Sequence, residues 1–402
     1  MNRRRHCLPP LGRIGFNRQN SGTMDSIAQQ TRSVFAPVIA LNFNSAQFDE
    51  CKTFLESRVA DTERLPVVDP RQLVMTADGR LAETGYRFNA IGFAAVANAL
   101  MSGLVGVFND LSGESRNRFN ASSESGELAA AVSIYNTALR SRFDVMRERT
   151  LLADHRSRTI EGCLGIEHKL LDNAVFFNTI AEELEAAQPN AEFYRAEVIG
   201  RELRVYYMDV RSRRTDVYRD PRHTFAAGWY FSNREDAGLA MRATNCLFTK
   251  FGPAVDGRSR HTNLRHVGAD FFGRATLLIR KAAGNSLDMA TVSKAISRLN
   301  SVPLNFSEDR AVFNSALAQW MGYLGQFKIG REFAKHIARN AAVIGSDMSP
   351  RNPLEAYNDE ILTNRNMYDL FCATLRYSKN QYHTVRDLLQ SAAMQMLLPT
   401  KQ

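Results

Sequence analysis

The pattern of side chains changes period near residue 196, and this change limits the folds that the chain can adopt. Beyond that point the apolar Leu203 and Val205 alternate with Arg204 and Tyr206. Alternation with a period of two predicts a strand that has one face toward a core and one polar face.

Turn residues and further alternating segments extend this strand into a sheet. Gly200–Arg201 is typical of a hairpin turn immediately before the strand. Further strands are predicted at 228–233, 241–248 and 275–280, separated by Gly, Asn and Asp residues.

Helical patterns lie on both sides of the strands. The predicted helices lie within 128–149, within 166–187, from 286 onward, from 307 onward and as a final pair across 354–397. Asp172 or Asn173 is expected to begin the second helix, and Ser286 and Ser307 are the expected N-caps of the next two. This order predicts an α+β fold with a central, mainly antiparallel sheet flanked by N-terminal and C-terminal helices.

Four regions are expected along the chain. They are a disordered basic arm at 1–32, an N-terminal mostly helical region at 33–150, a basic strand-rich α+β core at 151–285 and a C-terminal helical region at 286–402. An alternative for the arm is that translation begins at Met24, which would remove most of it.

The overall composition is that of a folded protein without disulfides or a membrane span. Of the 402 residues, 44% are hydrophobic and 23% are charged, and the five cysteines are far apart without a CxxC pair. This cysteine usage indicates a reducing cytoplasm. The one long apolar stretch, 91–108, is interrupted by Asn98 and Ser102, so it predicts a buried helix.

The net charge of +9 is concentrated in two places. Residues 1–24 contain five Arg and no acid, and residues 194–285 contain 17 basic and nine acidic side chains. Arg outnumbers Lys 42 to nine, which either reflects a GC-rich genome or favours planar donors that grip phosphate. The clustering itself indicates a local polyanionic partner.

The sequence lacks the common catalytic motifs. It contains no Gly-Lys dipeptide, so a phosphate-binding loop is excluded, and it has no HExxH, GxSxG or post-strand GxGxxG motif. The remaining candidates for a hydrolase, nuclease or metal site are Cys246, His261, His266 and Asp270, and this reading ranks last. We predict neither a metal nor a cofactor, and nothing identifies an enzyme.

Arginines interleaved with tyrosines make nucleic acid the better-motivated partner. Residues 194–222 contain eight Arg and four Tyr, and residues 258–280 add five Arg. Cations aimed at a backbone beside rings that stack on bases are typical of single-strand binding. The candidate nucleic-acid-binding residues are Arg201, Arg204, Tyr206, Arg211, Arg213, Arg214, Arg258, Arg260, Arg265 and His266.

The alternative for these residues is a solvated sheet face. The arginines would then pair with Glu197, Glu202, Asp209 and Asp216. Eight Arg against five acids in 194–222 leave an excess of three positive charges, so pairing cannot neutralise all of them.

Five segments, in order, resemble the phage/plasmid-like protein family, a domain of unknown function found in phages and plasmids. They are GYRFNAIGFAAVANALMSGL (85–104), CLGIEHKLLDNAVFFNTI (163–180), FAAGWYFSNREDAGLAMRATNCLFTKFG (225–252), RHTNLRHVG (260–268) and MYDLFCATLRYSKN (367–380). The family's asparagine-serine-acid order is loosened here to Ser232-Asn233-Arg234-Glu235, and Thr244-Asn245-Cys246-Leu247 replaces its Cys-Thr-Asn-Gly run, so the chain resembles a distant member. The resemblance implies a mobile-element protein and supplies no activity.

The function expected from these observations is ATP-independent, non-enzymatic binding of nucleic acid, with single-stranded DNA favoured, in recombination or replication of a phage or plasmid. Many weak backbone contacts in series favour a homo-oligomer. The alternative is a structural protein, a virion or assembly component, that self-associates through apolar helices at 91–108 and 311–345.

Overall fold

The computed structural model describes twelve ranges of the chain. They are 36–89, 91–93, 95–96, 132–133, 135–137, 139–140, 148–215, 224–236, 240–256, 263–302, 367–378 and 383–398. The arm expected at 1–32, most of the apolar stretch at 91–108 and the helices expected from 307 to 345 lie outside the described residues.

The described residues form an α+β fold with helices at both ends of the chain, as the change of period predicts. The strands are β1 (Ala40–Asn44), β2 (Thr62–Val67), β3 (Arg87–Phe88), β4 (Arg149–Asp154), β5 (Thr159–Gly165), β6 (Ala191–Ile199), β7 (Glu202–Asp209), β8 (Arg214–Thr215), β9 (Thr224–Arg234), β10 (Met241–Thr249), β11 (Gly252–Val255) and β12 (Asn263–Leu264). The α-helices are α1 (Phe48–Ala60), α2 (Asn173–Ala187), α3 (Phe271–Ala283), α4 (Met289–Ser301), α5 (Met367–Ser378) and α6 (His383–Leu397).

A large antiparallel sheet occupies the centre of the molecule. Its main path runs β1-β6-β7-β9-β10-β11, with β8 on β9 and β12 on β10. Ile199 pairs with Glu202, so Gly200 and Arg201 form the predicted two-residue turn, and Gly200 has the positive φ of 58° that such a turn requires.

The large sheet has an apolar face and a polar face. Leu203, Val205 and Trp229 lie on the apolar face, in one buried core with α1, α2 and α3. The opposite face contacts α6, which also packs with α4, α5 and β11 in a second core around Leu247 and Phe371.

A smaller sheet lies beside the first, in the order β2-β4-β5-β3, where only β3 and β5 are parallel. The sequence patterns predicted none of the strands β1 to β5. A β-bulge leaves Glu161 of β5 without a partner on β4, because Ile160 pairs with Ala153 and Gly162 with Leu152. Because of the bulge, the side chain of Glu161 does not follow the alternation of side chains between the two faces of the strand.

Two local predictions are wrong. Residues 275–280, expected as a strand, belong to α3, whose buried Phe271, Ala275 and Ile279 repeat every four residues. Helix α4 begins after Asp288 rather than Ser286, because the Asp288 carboxylate accepts from the N–H groups of Ala290 and Thr291.

Other local predictions are confirmed. Helix α2 follows an N-cap at Asp172, and strands β9 and β10 contain the segments expected at 228–233 and 241–248. The final helix pair is α5 and α6. Among the described helices, none is long and apolar enough to cross a bilayer.

Candidate nucleic-acid interface

The ten candidate residues divide into three groups. Four are buried, namely Arg201, Arg204, Tyr206 and His266. Four are exposed, namely Arg211, Arg213, Arg214 and Arg265. The other two, Arg258 and Arg260, lie outside the described residues. The four buried side chains have almost no surface available to a polynucleotide in this structure, so the direct contact expected of them is wrong.

Arg201 is held by both sheets. Its Nε lies 2.6 Å from Oε2 of Glu161 and its Nη1 lies 3.2 Å from Oε2 of Glu235, and the side chain is 2% exposed. Nη1 also donates to Oγ1 of Thr62 at 2.6 Å, and Nη2 donates to the carbonyl of Ala153. Its full donor set is therefore directed into the protein.

A second arginine, Arg58 of α1, joins the same cluster of charges, which we call the junction of the two sheets. Its Nη2 donates to the same Glu161 carboxylate at 2.7 Å, and its Nη1 lies 3.3 Å from Oδ2 of Asp154. Burial raises the pKa of Glu235, and Arg201 opposes this effect. Two arginines thus satisfy three carboxylates where the two sheets meet.

Arg204 and Tyr206 point to the polar face of the large sheet, which we define by Glu197, Glu202, Arg204, Tyr206 and Tyr230. Nε of Arg204 donates to Glu202 at 2.7 Å and its Nη1 donates to Oδ1 of Asp387 in α6 at 2.9 Å. The side chain of Arg204 has no exposed surface, because α6 covers it.

A second contact fixes α6 on the polar face. Arg386 donates to Glu197, which also lies 3.3 Å from Nη2 of Arg195. Although burial acts in the opposite direction, Arg195, Arg386 and Arg204 hold the pKa of Glu197 below its ordinary value.

The polar groups that α6 covers are not all hydrogen-bonded to described residues. Nη2 of Arg204 and the hydroxyls of Tyr206 and Tyr230 are buried without a hydrogen-bond partner among the described residues. The two phenol rings lie 5.0 Å apart, and burial raises the pKa of Tyr230 to about 12 and that of Asp387 to about 6.

His266 is also an interior residue. Its ring stacks between His168 at 4.9 Å and Phe271 at 4.8 Å, and its Nδ1 bonds to the carbonyl of Lys169 at 3.1 Å. Burial lowers the pKa of His266, so the ring is neutral near pH 7 and cannot act as a phosphate-binding cation.

Among the described residues, the exposed candidate arginines of the two basic stretches lie at different ends of the large sheet. Arg214 pairs with Phe225 at the end of the sheet where β10 finishes, since Ala226 pairs with Phe248. Arg265 follows β12, whose Leu264 pairs with Met241 at the beginning of β10. The seven residue-to-residue steps from Met241 to Phe248 correspond to about 23 Å of strand.

An exposed arginine turn remains at the first of these ends. Arg211, Arg213 and Arg214 lie between β7 and β8, and none of the three forms an ion pair with a described residue. Two hydrogen bonds fix the turn. Oδ1 of Asp209 accepts from the N–H of Arg211, and Oγ of Ser212 accepts from the N–H of Ala227 at 2.7 Å.

The catalytic candidates are not brought together. Cys246 is buried in the middle of β10, where burial raises its pKa, whereas His266 and Asp270 lie at the far end of the sheet. No group of three His, Cys, Asp or Glu side chains that could hold a metal occurs among the described residues. His261 lies outside them.

Sequence reasoning missed the partners that bury the arginines. Arg58, Glu161, Arg386 and Asp387 lie far from 194–222 in the chain, and no local pattern marks them as partners. The one available signal was the presence of Glu197 and Glu202 beside the arginines, which the alternative of a paired sheet face used. Comparison with family models, with curated proteins and with solved structures finds no match to this chain.

Proposed function

We propose that this chain is a non-enzymatic, ATP-independent nucleic-acid-binding protein that holds single-stranded DNA at the turn of Arg211, Arg213 and Arg214. The observation that carries the proposal is the exposure of these three guanidinium groups within four residues, without ion pairs to described residues. Unpaired guanidinium groups bind phosphate through two parallel hydrogen bonds at low desolvation cost.

The surroundings of the turn support a strand rather than a small anion. Lys250 is exposed in the turn between β10 and β11, at the same end of the sheet. Tyr194, which is partly exposed, is the bulged residue of β6 and its ring lies 4.7 Å from that of Phe248. Cations spaced along an edge with a nearby phenol ring suit a backbone and a stacked base.

The buried arginines have a structural role in this proposal. Arg201 and Arg204, two of the eight arginines of 194–222, are buried and contribute nothing to a nucleic-acid surface. A protein of a phage or plasmid, acting in recombination or replication in the bacterial cytoplasm as a homo-oligomer, remains the setting that the resemblance and the charge favour.

The test is fluorescence anisotropy of a labelled single-stranded oligonucleotide with the full chain. Changing Arg211, Arg213 and Arg214 together to Ala should weaken binding and lower the slope of log affinity against log salt by about 2, since each phosphate contact contributes about 0.7. The matched control replaces exposed Arg71, Arg156 and Lys294 by Ala, which removes the same charge elsewhere.

Equal losses in the two triple variants would reduce the effect to net charge and contradict a site at the turn. Absence of binding by the unmodified chain at about 50 mM salt, where electrostatic binding is strong, would contradict the function itself.

A further inference from the structure

A cleft of about 440 Å³ lies at the opposite end of the large sheet, where the smaller sheet, α2 and α3 meet. Six of its lining residues carry the argument: Arg64, His168, Lys169, Asp172, Val175 and Phe272. The volume is within the range of sites for small organic ligands.

One side of the cleft is cationic. Arg64 of β2 and Lys169 are both exposed, and neither forms an ion pair with a described residue. Helix α2 begins beside them, but the N–H of its first residue, Asn173, already donates to Oε1 of buried Glu235 at 2.6 Å, so the cationic character of this side comes from the two basic side chains. An anionic group is favoured at this side.

The other side of the cleft is apolar and aromatic. Phe272 is 51% exposed and Val175 is 53% exposed, so both present apolar surface to the cleft. The ring of Phe272 lies 5.3 Å from that of Phe271, which stacks on His266. This series of packed rings holds Phe272 in place as a surface on which a planar ring can stack.

The polar groups between the two sides are also fixed. The loop of His168 and Lys169 is joined to β12 by the N–H of Lys169, which donates to the carbonyl of His266 at 2.8 Å. Burial lowers the pKa of His168 to about 4, so its ring is neutral near pH 7, and its buried Nε2 has no hydrogen-bond partner among the described residues. His168 therefore offers a free hydrogen-bonding nitrogen.

We infer that this cleft binds a nucleotide unit, with the base stacked on Phe272 and a single phosphate held by Lys169 and Arg64. Asp172 supplies an acceptor for a sugar hydroxyl or an exocyclic amine, and its negative charge disfavours a polyphosphate. The unit is either a free nucleoside monophosphate or the terminal nucleotide of a strand. The inference does not depend on the arginine turn, which lies at the other end of the sheet.

Calorimetric titration of the full chain with AMP tests the inference. Phe272→Ala should weaken AMP binding about tenfold, because loss of a stacking ring removes most of the affinity for a base. Lys169→Ala should weaken it severalfold. The matched controls are Leu277→Ala, a 61% exposed apolar residue of the same helix, and Lys281→Ala, an exposed lysine of that helix; both should leave AMP binding unchanged.

A 5′-phosphorylated oligonucleotide, titrated into the variant that lacks Arg211, Arg213 and Arg214, separates the two sources of the ligand. Binding of AMP alone assigns the cleft to a free nucleotide, and binding of the oligonucleotide alone assigns it to a strand end. In the unmodified chain, absence of strand binding with retained AMP binding would contradict only the function proposed for the turn.

Three results would overturn the inference. One is no binding of either AMP or the oligonucleotide. Another is AMP binding that Phe272→Ala and Lys169→Ala leave unaltered. The third is inorganic phosphate competing as well as AMP, which would leave the aromatic side without a role.

Discussion

The guanidinium of Arg201 lies among four oxygen atoms in a place from which water is nearly excluded. Removing two charges from water costs several kcal/mol per ion, and their attraction offsets this cost only when each donor and acceptor is satisfied. Arg201 is held by an ion pair with Glu161 and by hydrogen bonds to Glu235, Thr62 and Ala153, and only its Nε lacks a well-directed hydrogen bond among the described residues. Its charge therefore stabilises the interior and is not available to a ligand.

Replacing Arg201 by Met is expected to destabilise the fold by about 3–5 kcal/mol, because Glu235 would remain buried without its cation. Met retains much of the apolar stem, so the loss measures the charge. Urea denaturation checks this. Arg213→Met is the control, since Arg213 is exposed, and it should change stability by less than about 0.5 kcal/mol. A loss under about 1 kcal/mol for Arg201→Met would contradict the account.

For Arg204 and Tyr206, the sequence predicted which face of strand β7 they lie on, but it did not predict that helix α6 covers that face. Alternation correctly separated them from Leu203 and Val205. Whether that face meets water depends on Asp387 in α6, which is far along the chain, and no local pattern carries that information. Exposure of a strand face is decided by the whole fold.

Strand β9 shows how a single glycine can determine the packing of neighbouring strands. A Cβ atom built on Gly228 would lie 2.2 Å from the carbonyl oxygen of Tyr207 and 2.4 Å from the ring of Phe248. Only the absence of a side chain allows Phe248 to lie over the strand and contact Tyr194.

Gly228→Ala is expected to destabilise the protein by about 2–4 kcal/mol, because the strand backbone must move to relieve both contacts. Thermal unfolding followed by the signal of buried Trp229 measures this. Gly284→Ala is the control: its Cβ would lie 3.4 Å from the nearest atom with an ordinary helical φ of −70°, so it should be nearly neutral. Equal shifts for the two variants would contradict the packing argument.

At the scale of elements, the sequence predicted helix α2 and strands β9 and β10. The segment 275–280 was wrongly predicted as a strand, because a short apolar run is compatible with a strand or a helix equally. Only the wider spacing of Phe271, Ala275 and Ile279 identifies α3.

For the molecule as a whole, the junction of Arg58 and Arg201 connects the two sheets through Glu161. Separate opening of the smaller sheet would leave buried charges unpaired. The two sheets are therefore expected to unfold together.

Native-state hydrogen exchange should give amides of β4 and β5 the same opening free energy as those of β7 and β9, within about 1 kcal/mol. In Arg201→Met the smaller sheet should open first, whereas Arg213→Met should leave the two sheets coupled. Early exchange of β4 and β5 in the unmodified protein would show that the junction does not couple them.

The pairing of Ala40 with Ile199 has a consequence for the synthesis of the chain. A ribosome would release β1 long before β6, and the strands and helices of the smaller sheet would emerge in between. During that interval β1 has an open hydrogen-bonding edge, which is a site for mispairing with other nascent chains. Rapid packing of α1, through Cys51 and Leu55, against Phe43 of β1 would shield it, so early α1 folding should govern the yield of native protein.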